Sequence, residues 1–219
     1  MKTLLTLVRH GETVWHAENR YAGSRDVALT PRGREQAAAL ARWAATADLT
    51  SIRSSDLSRA RLTAEGCAAA AGHQLTIDPR LRELDFGQGE GLTPAEMRQR
   101  FPEARKAFQA DPVGHHLPGG ENPVIAAERF TGALKDAAAA DPGGHILVVA
   151  HTTAIRLALC RLLGIPLGEY RRAFPSLGNC ALSTIRVRDG ETGLLRYNSP
   201  LGPAAVRSPA PPAAGQTSN

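Results

Sequence analysis

The 219-residue sequence has few cysteines, few aromatic residues and no long apolar run. Its three cysteines, Cys67, Cys160 and Cys180, are widely spaced and include no C-x-x-C pair, which argues against a disulfide framework or a zinc ribbon. This cysteine pattern predicts a reducing, cytoplasmic location. No apolar stretch approaches the roughly 20 residues that span a membrane, and the short N-terminal run stops at Arg9, so we expect no membrane partner.

Lysine is also scarce: arginine supplies all but three of the 26 Lys and Arg residues, and the formal net charge is +5. Arginine binds phosphate and carboxylate groups bidentately, which makes an anionic partner one interpretation of this bias. The arginines come in scattered pairs, and only 5% of the residues are aromatic. We therefore expect no nucleic-acid partner, and most of the arginines are interpreted as solvated helix faces.

The apolar content and the length indicate one domain with an appendage. Hydrophobic residues make up 42% of the chain, which is enough for a core and excludes disorder throughout. Residues 1–199 are predicted to form one folded domain. Residues 200–219 are rich in proline and alanine, hold five of the 15 prolines, and are predicted to form a disordered tail.

Strand-like and helix-like segments alternate along the domain. Predicted strands cover Thr3–Val8, Thr50–Ser54, Leu75–Ile77, His145–Ala150, Ala181–Val187 and about Leu194–Tyr197. Predicted helices cover Pro31–Ala45, about Asp56–Ala71, Thr93 to about Gln109, Glu121–Ala140 and Thr152–Leu163. This alternation predicts an α/β fold, a three-layer α/β/α sandwich with a mostly parallel central sheet.

Polar residues follow the predicted strands at their carboxyl ends, where such sheets bind ligands. The first strand ends in Arg9-His10, and the apolar fourth strand ends in His151. Arg59 lies just inside the helix that follows the second strand, and Glu83 follows the third strand. Two histidines, two arginines and one glutamate are thus predicted to meet at one edge of the sheet.

These residue types suit a compact dianion such as a phosphoryl group. Arginine and imidazole N–H groups bind the anion, and one imidazole can instead attack phosphorus to give a covalent phosphohistidine. Arg9 and Arg59 disfavour a third cation and should keep His10 neutral. Glu83 is positioned to protonate the leaving alkoxide and then to deprotonate water.

Two segments closely resemble motifs of the histidine phosphatase superfamily, which includes the cofactor-dependent phosphoglycerate mutases and many broad-specificity phosphatases. They are Leu7-Val8-Arg9-His10-Gly11-Glu12-Thr13 and Ser54-Ser55-Asp56-Leu57-Ser58-Arg59-Ala60. Further matching segments are Tyr21-Ala22-Gly23, Leu29-Thr30-Pro31-Arg32-Gly33, Leu81–Gly87, Glu90-Gly91, Pro118–Glu121, Val148–His151 and Asn179. The resemblance covers about residues 3–187, in order and with ordinary spacing.

The resemblance assigns a role to each of these residues. It implies that His10 is the nucleophile, that Arg9, Arg59 and His151 hold the phosphoryl group, and that Glu83 is the proton donor and acceptor. It also implies that the backbone near Gly11 and Gly23 approaches the substrate. No metal and no organic cofactor is implied for phosphatase members.

The sequence departs from the family pattern at two positions. His16 stands where the family usually has a phosphate-binding asparagine, and Thr152 replaces the glycine that usually follows the second histidine. Both remain candidate substrate-binding residues, and His16 is expected to make phosphate affinity more dependent on pH. Gln88, His116 and Glu121 are further candidates for the pocket wall.

The predicted function is a phosphomonoesterase that hydrolyses small phosphorylated metabolites through a phosphohistidine intermediate. The alternative is a cofactor-dependent phosphoglycerate-type mutase; such mutases carry a longer insertion than the 68 positions that separate Glu83 from His151 here. A degenerate phosphate-binding regulatory module is a third interpretation, supported only by His16. The expected partner is a small-molecule phosphate ester, and the sequence leaves a homodimer open.

Overall fold

Six strands and eight helices are present in the computed structural model, which describes residues 1–202. The strands are β1 (Lys2–Arg9), β2 (Ser51–Ser54), β3 (Leu75–Ile77), β4 (His145–Ala150), β5 (Leu182–Arg188) and β6 (Glu191–Ser199). The helices are α1 (Val14–Ala17), α2 (Pro31–Ala44), α3 (Ser58–Ala71), α4 (Pro94–Arg100), α5 (Pro102–Ala110), α6 (Pro123–Ala140), α7 (Thr152–Leu162) and α8 (Tyr170–Ala173).

The strands form one sheet in the order β3-β2-β4-β1-β5-β6. Pairing is parallel from β3 to β1 and antiparallel from β1 through β5 to β6. In the β1–β4 register Arg9 lies opposite Ala150, so the residues that follow them, His10 and His151, leave the sheet side by side. The predicted α/β fold with a mostly parallel sheet is confirmed.

Helices cover both faces of the sheet, and the alternation of apolar side chains along each strand explains why. Leu7 and Val148 point into a core shared with α4–α7, whereas Val8 and Val149 point into a core shared with α2 and α3. Because β1 and β4 are buried on both faces, apolar residues stand on both faces of each strand, interrupted in β1 by Thr3 and Thr6. The polar residues that matter therefore lie beyond the strand ends.

The helix boundaries follow the predicted signals with one exception. Thr30 caps α2 by accepting a hydrogen bond from the backbone N–H of Gly33 at 3.0 Å, and Gly72 ends α3 in the left-handed conformation. The single helix predicted from Thr93 to about Gln109 is wrong, because the chain forms α4 and α5 with a break at Phe101. Pro102 lacks an N–H and disfavours helical backbone at the preceding residue, which separates the two helices.

The C-terminal part of the described chain extends further than the sequence indicated. Strand β6 runs over Glu191–Ser199, longer than the predicted Leu194–Tyr197, and Leu201 packs against the core on the α2–α3 side. The predicted tail begins at 200, but residues 203–219 lie outside the described residues. Within residues 1–202 no helix combines the length and apolar character needed to cross a membrane.

Candidate active site

A cavity of about 280 Å³ opens at the carboxyl ends of the parallel strands. Seven of the predicted residues line it together, namely Arg9, His10, His16, Gly23, Arg59, Glu83 and Thr152. His151 is fully buried beside it, with its ring centroid 5.1 Å from that of His10. The structure therefore brings together residues that are up to 143 positions apart in the sequence.

His10 is held so that one ring nitrogen is available for attack. Its Nδ1 lies 2.7 Å from the carbonyl oxygen of Gly11, which can only accept, so Nδ1 carries the proton and Nε2 keeps its lone pair. Burial, together with Arg59 and Arg9, lowers the pKa of His10 well below 6.5. Asn179 fixes the backbone by donating its side-chain N–H to the carbonyl oxygen of His10 at 2.8 Å. A neutral, oriented imidazole is what nucleophilic attack requires.

His151 follows β4 and has no hydrogen-bond partner on either ring nitrogen among the described residues. Burial lowers its pKa well below 6.5, and Arg59 and His10 add to the effect. Buried polar atoms are nearly always paired, so an unpaired imidazole next to a cavity indicates a place for a hydrogen-bonding ligand.

Arg59 is anchored by a loop rather than by a carboxylate. Its two terminal nitrogens each donate at 2.6 Å, one to the carbonyl oxygen of Arg25 and one to that of Gly23. Glu90 holds this loop, because its carboxylate accepts from the backbone N–H groups of Ser24 at 2.6 Å and Arg25 at 3.1 Å. A Cβ on Gly23 would lie 1.8 Å from a carboxylate oxygen of Glu90, so only glycine fits there.

Glu83 sits at the N-terminal end of α7. Its carboxylate accepts from the backbone N–H groups of Thr153 at 3.0 Å, Ala154 at 2.8 Å and Leu84 at 2.8 Å. Arg129 supports this position from behind, donating to the carbonyl oxygen of Glu83 at 2.9 Å. Sequence reasoning did not identify Arg129, since it lies in the middle of α6 without a motif of its own.

Arg9 completes the cationic end of the cavity. It donates to the carbonyl oxygen of Leu177 at 2.8 Å, and its other terminal nitrogen contacts Nε2 of His16. Burial lowers the pKa of Arg9 to about 10, an effect that the Glu83 carboxylate opposes. Its guanidinium therefore remains charged at neutral pH.

His16 does not titrate near neutral pH in the free protein. Burial and the nearby Arg9 and Arg59 lower its pKa to about 3. Its Nδ1 lies 3.0 Å from both the backbone nitrogen and the hydroxyl oxygen of Thr13, which fixes the ring. The ring thus stands at the position expected from the sequence and lines the cavity beside Arg9.

The remaining candidates lie outside the cavity lining. Gly11 contacts the backbone of Gly33, whose carbonyl oxygen would lie 2.4 Å from a Cβ at position 11, so its small size serves chain packing. Gln88 and His116 are exposed, and Glu121 forms an ion pair with Arg129 at 2.6 Å. Among the described residues no group of three or more His, Cys, Asp or Glu side chains is arranged to bind a metal ion.

The cavity lining also includes residues to which the sequence assigned no role. They are Tyr21, Phe86, Phe108, Arg156, Tyr170 and Arg171. Arg156 stands one helical turn after Thr152 and could have been found by that spacing. Arg171 comes from α8, a one-turn helix without a sequence signal, and the expectation of a solvated helix face is wrong for both arginines because they line the cavity.

Comparisons with known proteins agree on the type of protein. The family described as the histidine phosphatase superfamily (branch 1) matches residues 5–200. The chain is 37% identical over 179 residues to a probable phosphoglycerate mutase GpmB of Citrobacter koseri, covering 82% of each chain.

Solved structures give the same result. YhfR of Bacillus stearothermophilus superposes with a TM-score of 0.85 at 29% identity, covering 90% of this chain and 97% of that one. A mycobacterial glucosyl-3-phosphoglycerate phosphatase in complex with VO3 superposes with a TM-score of 0.83 at 29% identity, covering 90% and 99%.

Proposed function

The chain belongs to the histidine phosphatase superfamily, and from that premise we propose that it is a phosphomonoesterase that hydrolyses small phosphorylated metabolites through a covalent phosphohistidine. The observation that carries this proposal is the state of His10, whose Nδ1 is held by Gly11 while its Nε2 is free beside Arg9 and Arg59. A phosphoryl group placed among these side chains meets a nucleophile and cations from several sides.

In the first step His10 Nε2 attacks phosphorus, and the bond from phosphorus to the ester oxygen breaks. Glu83, in its protonated form, gives its proton to the departing oxygen, so the alcohol leaves neutral. In the second step the Glu83 carboxylate takes a proton from water, and the resulting hydroxide attacks phosphorus. The P–N bond breaks, its electrons return to His10, and inorganic phosphate is released.

The side chains that bind the phosphoryl group supply most of the rate enhancement. A positioned acid–base group contributes about 10²–10⁴-fold, whereas hydrolysis of phosphate monoesters calls for up to about 10²¹-fold. Arg9, Arg59 and His151 are fixed before the substrate arrives, so they stabilise the charge on the transferring phosphoryl oxygens without reorganisation. His151, with both nitrogens unpaired among residues 1–202, gains its hydrogen-bond partner from the phosphoryl group.

A phosphoglycerate-type mutase is the second candidate, and the name of the Citrobacter koseri relative favours it. The names of solved relatives such as the mycobacterial phosphatase favour hydrolysis. The spacing of 68 positions between Glu83 and His151 leaves no room for the longer mutase insertion, which also supports hydrolysis.

The two candidates are separated by one comparison. The purified protein is incubated with 3-phosphoglycerate, with and without 2,3-bisphosphoglycerate, and both 2-phosphoglycerate and inorganic phosphate are measured. We expect inorganic phosphate to form at the same rate in both mixtures. Rapid formation of 2-phosphoglycerate that depends on the bisphosphate would establish the mutase instead.

A further inference from the structure

Three arginines and two aromatic rings form a continuous stack beside the cavity. Its members, which we call the arginine–aromatic stack, are Arg105, Phe108, Arg171, Tyr170 and Arg156. The guanidinium carbons of Arg105 and Arg171 lie 5.6 Å and 4.9 Å from the Phe108 ring centroid, and those of Arg171 and Arg156 lie 5.5 Å and 4.9 Å from that of Tyr170. Cations on aromatic faces stabilise the stack, but rings do not neutralise its charge.

None of the three arginines has a carboxylate within ion-pair distance in the part of the chain that the structure describes. Arg20, which also lines the cavity, is different: it pairs with Glu18 and Glu96, each at 2.7 Å. The stack therefore keeps its positive charge, whereas the charge of Arg20 is compensated.

The hydrogen bonds of the stack are also incomplete. Nε of Arg156 and both Nε and Nη1 of Arg105 are buried without a partner among residues 1–202, and Arg105 is only 8% exposed. Arg171 is anchored by donating to the Tyr170 hydroxyl at 3.0 Å and to the carbonyl oxygen of Gln109 at 3.2 Å. Desolvated cations without a counter-ion are costly, so an anion that bound here would recover part of that cost.

Arg156 and Arg171 are the two members of the stack that carry charge into the cavity lining. The only acidic residue of that lining is Glu83, whose carboxylate is held by the backbone N–H groups of α7. Aromatic side chains, including Tyr21 and Phe86, also line the cavity. The lining thus carries a second pair of arginines besides Arg9 and Arg59, together with apolar surface.

We propose that the preferred substrates carry a second anionic group, a carboxylate or a second phosphate, on a short spacer from the scissile phosphoryl group, and that Arg156 and Arg171 bind it. This inference rests on the proposed function, because it assigns the phosphoryl group to the His10 end. It follows that a substrate with an ammonium group in place of the second anion binds poorly, because the charges of Arg156 and Arg171 repel it.

The test uses three esters with the same three-carbon chain: propyl phosphate, 3-(phosphonooxy)propanoate and propane-1,3-diyl bisphosphate. The first has no distal anion, the second has a carboxylate and the third has a phosphate. The values of kcat/KM are measured for the wild type, Arg156→Gln, Arg171→Gln and Arg172→Gln. Arg172 is the matched control, because it is on the same helix, exposed, and paired with Glu169 outside the cavity.

In the wild type and in Arg172→Gln we expect at least one anionic ester to exceed propyl phosphate by about tenfold or more in kcat/KM. Which of the two is preferred identifies the distal group as carboxylate or phosphate. Arg156→Gln and Arg171→Gln should each bring that ratio towards one. Equal kcat/KM values for the three esters in the wild type, or a ratio that survives both substitutions, would overturn the proposal.

A wild-type protein that hydrolyses no ester, p-nitrophenyl phosphate included, would contradict the proposed function and not the distal site. The distal site is then decided by calorimetry with two non-hydrolysable ligands, propylphosphonate and 3-phosphonopropanoate. Tighter binding of the carboxylate ligand, lost in Arg171→Gln and kept in Arg172→Gln, supports the site. Equal binding of both ligands by the wild type overturns the proposal that the distal site binds a carboxylate. Comparing propylphosphonate with propane-1,3-diyl bisphosphonate tests a distal phosphate in the same way.

Discussion

The imidazole rings of His10 and His151 lie 5.1 Å apart, and both are buried next to Arg59. Burial is the largest cause of the low pKa of each ring, and the arginine charges add to it. The pair is therefore neutral in the folded protein at pH values where an unfolded chain would protonate both rings.

Because both rings are neutral in the folded protein, we predict that it loses stability as the pH falls below about 6.5. The folded-state pKa of each ring is lower than the unfolded value, so below 6.5 the unfolded chain binds more protons and the free energy of unfolding decreases. Each ring should contribute up to about 1.4 kcal/mol per pH unit. Urea unfolding followed between about pH 5 and 7.5 measures this slope.

The matched variants for that measurement are His151→Gln and His115→Gln. The first removes one buried imidazole and should make the slope shallower, whereas the second changes an exposed side chain and should keep the wild-type slope. A wild-type free energy of unfolding that stays constant between pH 7.5 and 5 would contradict the neutral pair.

Glu83→Gln should slow turnover most for esters with poor leaving groups. An amide cannot supply the proton that an alkoxide needs, but p-nitrophenolate leaves without one, so the loss should be about 10²–10⁴-fold for alkyl phosphates and smaller for p-nitrophenyl phosphate. Comparing kcat/KM for the two ester types in the wild type and the variant measures the difference, because kcat/KM reports the first step, whereas kcat also includes the second step, in which Glu83 activates water for every ester. Equal losses for both would remove Glu83 from the role of acid.

Gly23→Ala should reduce both stability and activity, because a Cβ at this position meets the Glu90 carboxylate that holds the loop under Arg59. Displacing buried hydrogen bonds of this kind costs about 1–3 kcal/mol. The control is Gly72→Ala, which also has a positive φ (+71°) but has open space around it, so only the backbone cost of about 1–2 kcal/mol applies.

The two variants should differ when stability is measured by urea unfolding and activity by kcat/KM for p-nitrophenyl phosphate. Both should lose stability, and only Gly23→Ala should lose activity. If the Gly23→Ala protein kept wild-type kcat/KM, the loop would not position Arg59.

His16→Asn should leave the shape of the pH profile of kcat/KM unchanged between about pH 5.5 and 8, since kcat/KM reports titrations of the free enzyme. The pKa of His16 is about 3 in the free protein, so it carries no proton to lose in this range. The expectation from sequence, that His16 makes phosphate affinity more dependent on pH, also concerns the phosphate complex and stays a prediction. An inflection of kcat/KM present in the wild type and absent in the variant would contradict a neutral His16 in the free enzyme.

The strand ends were predictable from the sequence because the apolar runs Leu7-Val8 of β1 and 146–150 of β4 are followed directly by polar residues. That pattern located His10 and His151, and the motifs around Arg59 and Glu83 located the rest of the phosphoryl site. The break between α4 and α5 was also readable, since Pro102 forbids a continuous helix, but the strong cap at Thr93 led to one long helix.

The arginine–aromatic stack could not be predicted in the same way. Arg105, Arg156 and Arg171 come from three helices, and each looks like a surface residue in its local sequence. Only the packing of α5, α7 and α8 brings them to the same aromatic rings. Of the three, Arg156 alone could have been found, by its spacing from Thr152. For Arg105 and Arg171, long-range packing of this kind leaves no periodic or motif signal in a single sequence.

The most direct test of the account is whether His10 becomes phosphorylated during turnover. The wild type, His10→Ala and the exposed control His115→Ala are mixed with a ³²P-labelled phosphate ester, quenched rapidly in alkali and analysed for protein-bound label. We predict an acid-labile, alkali-stable phosphohistidine in the wild type and in His115→Ala, and neither label nor hydrolysis in His10→Ala. Full hydrolysis by a folded His10→Ala protein would contradict the mechanism.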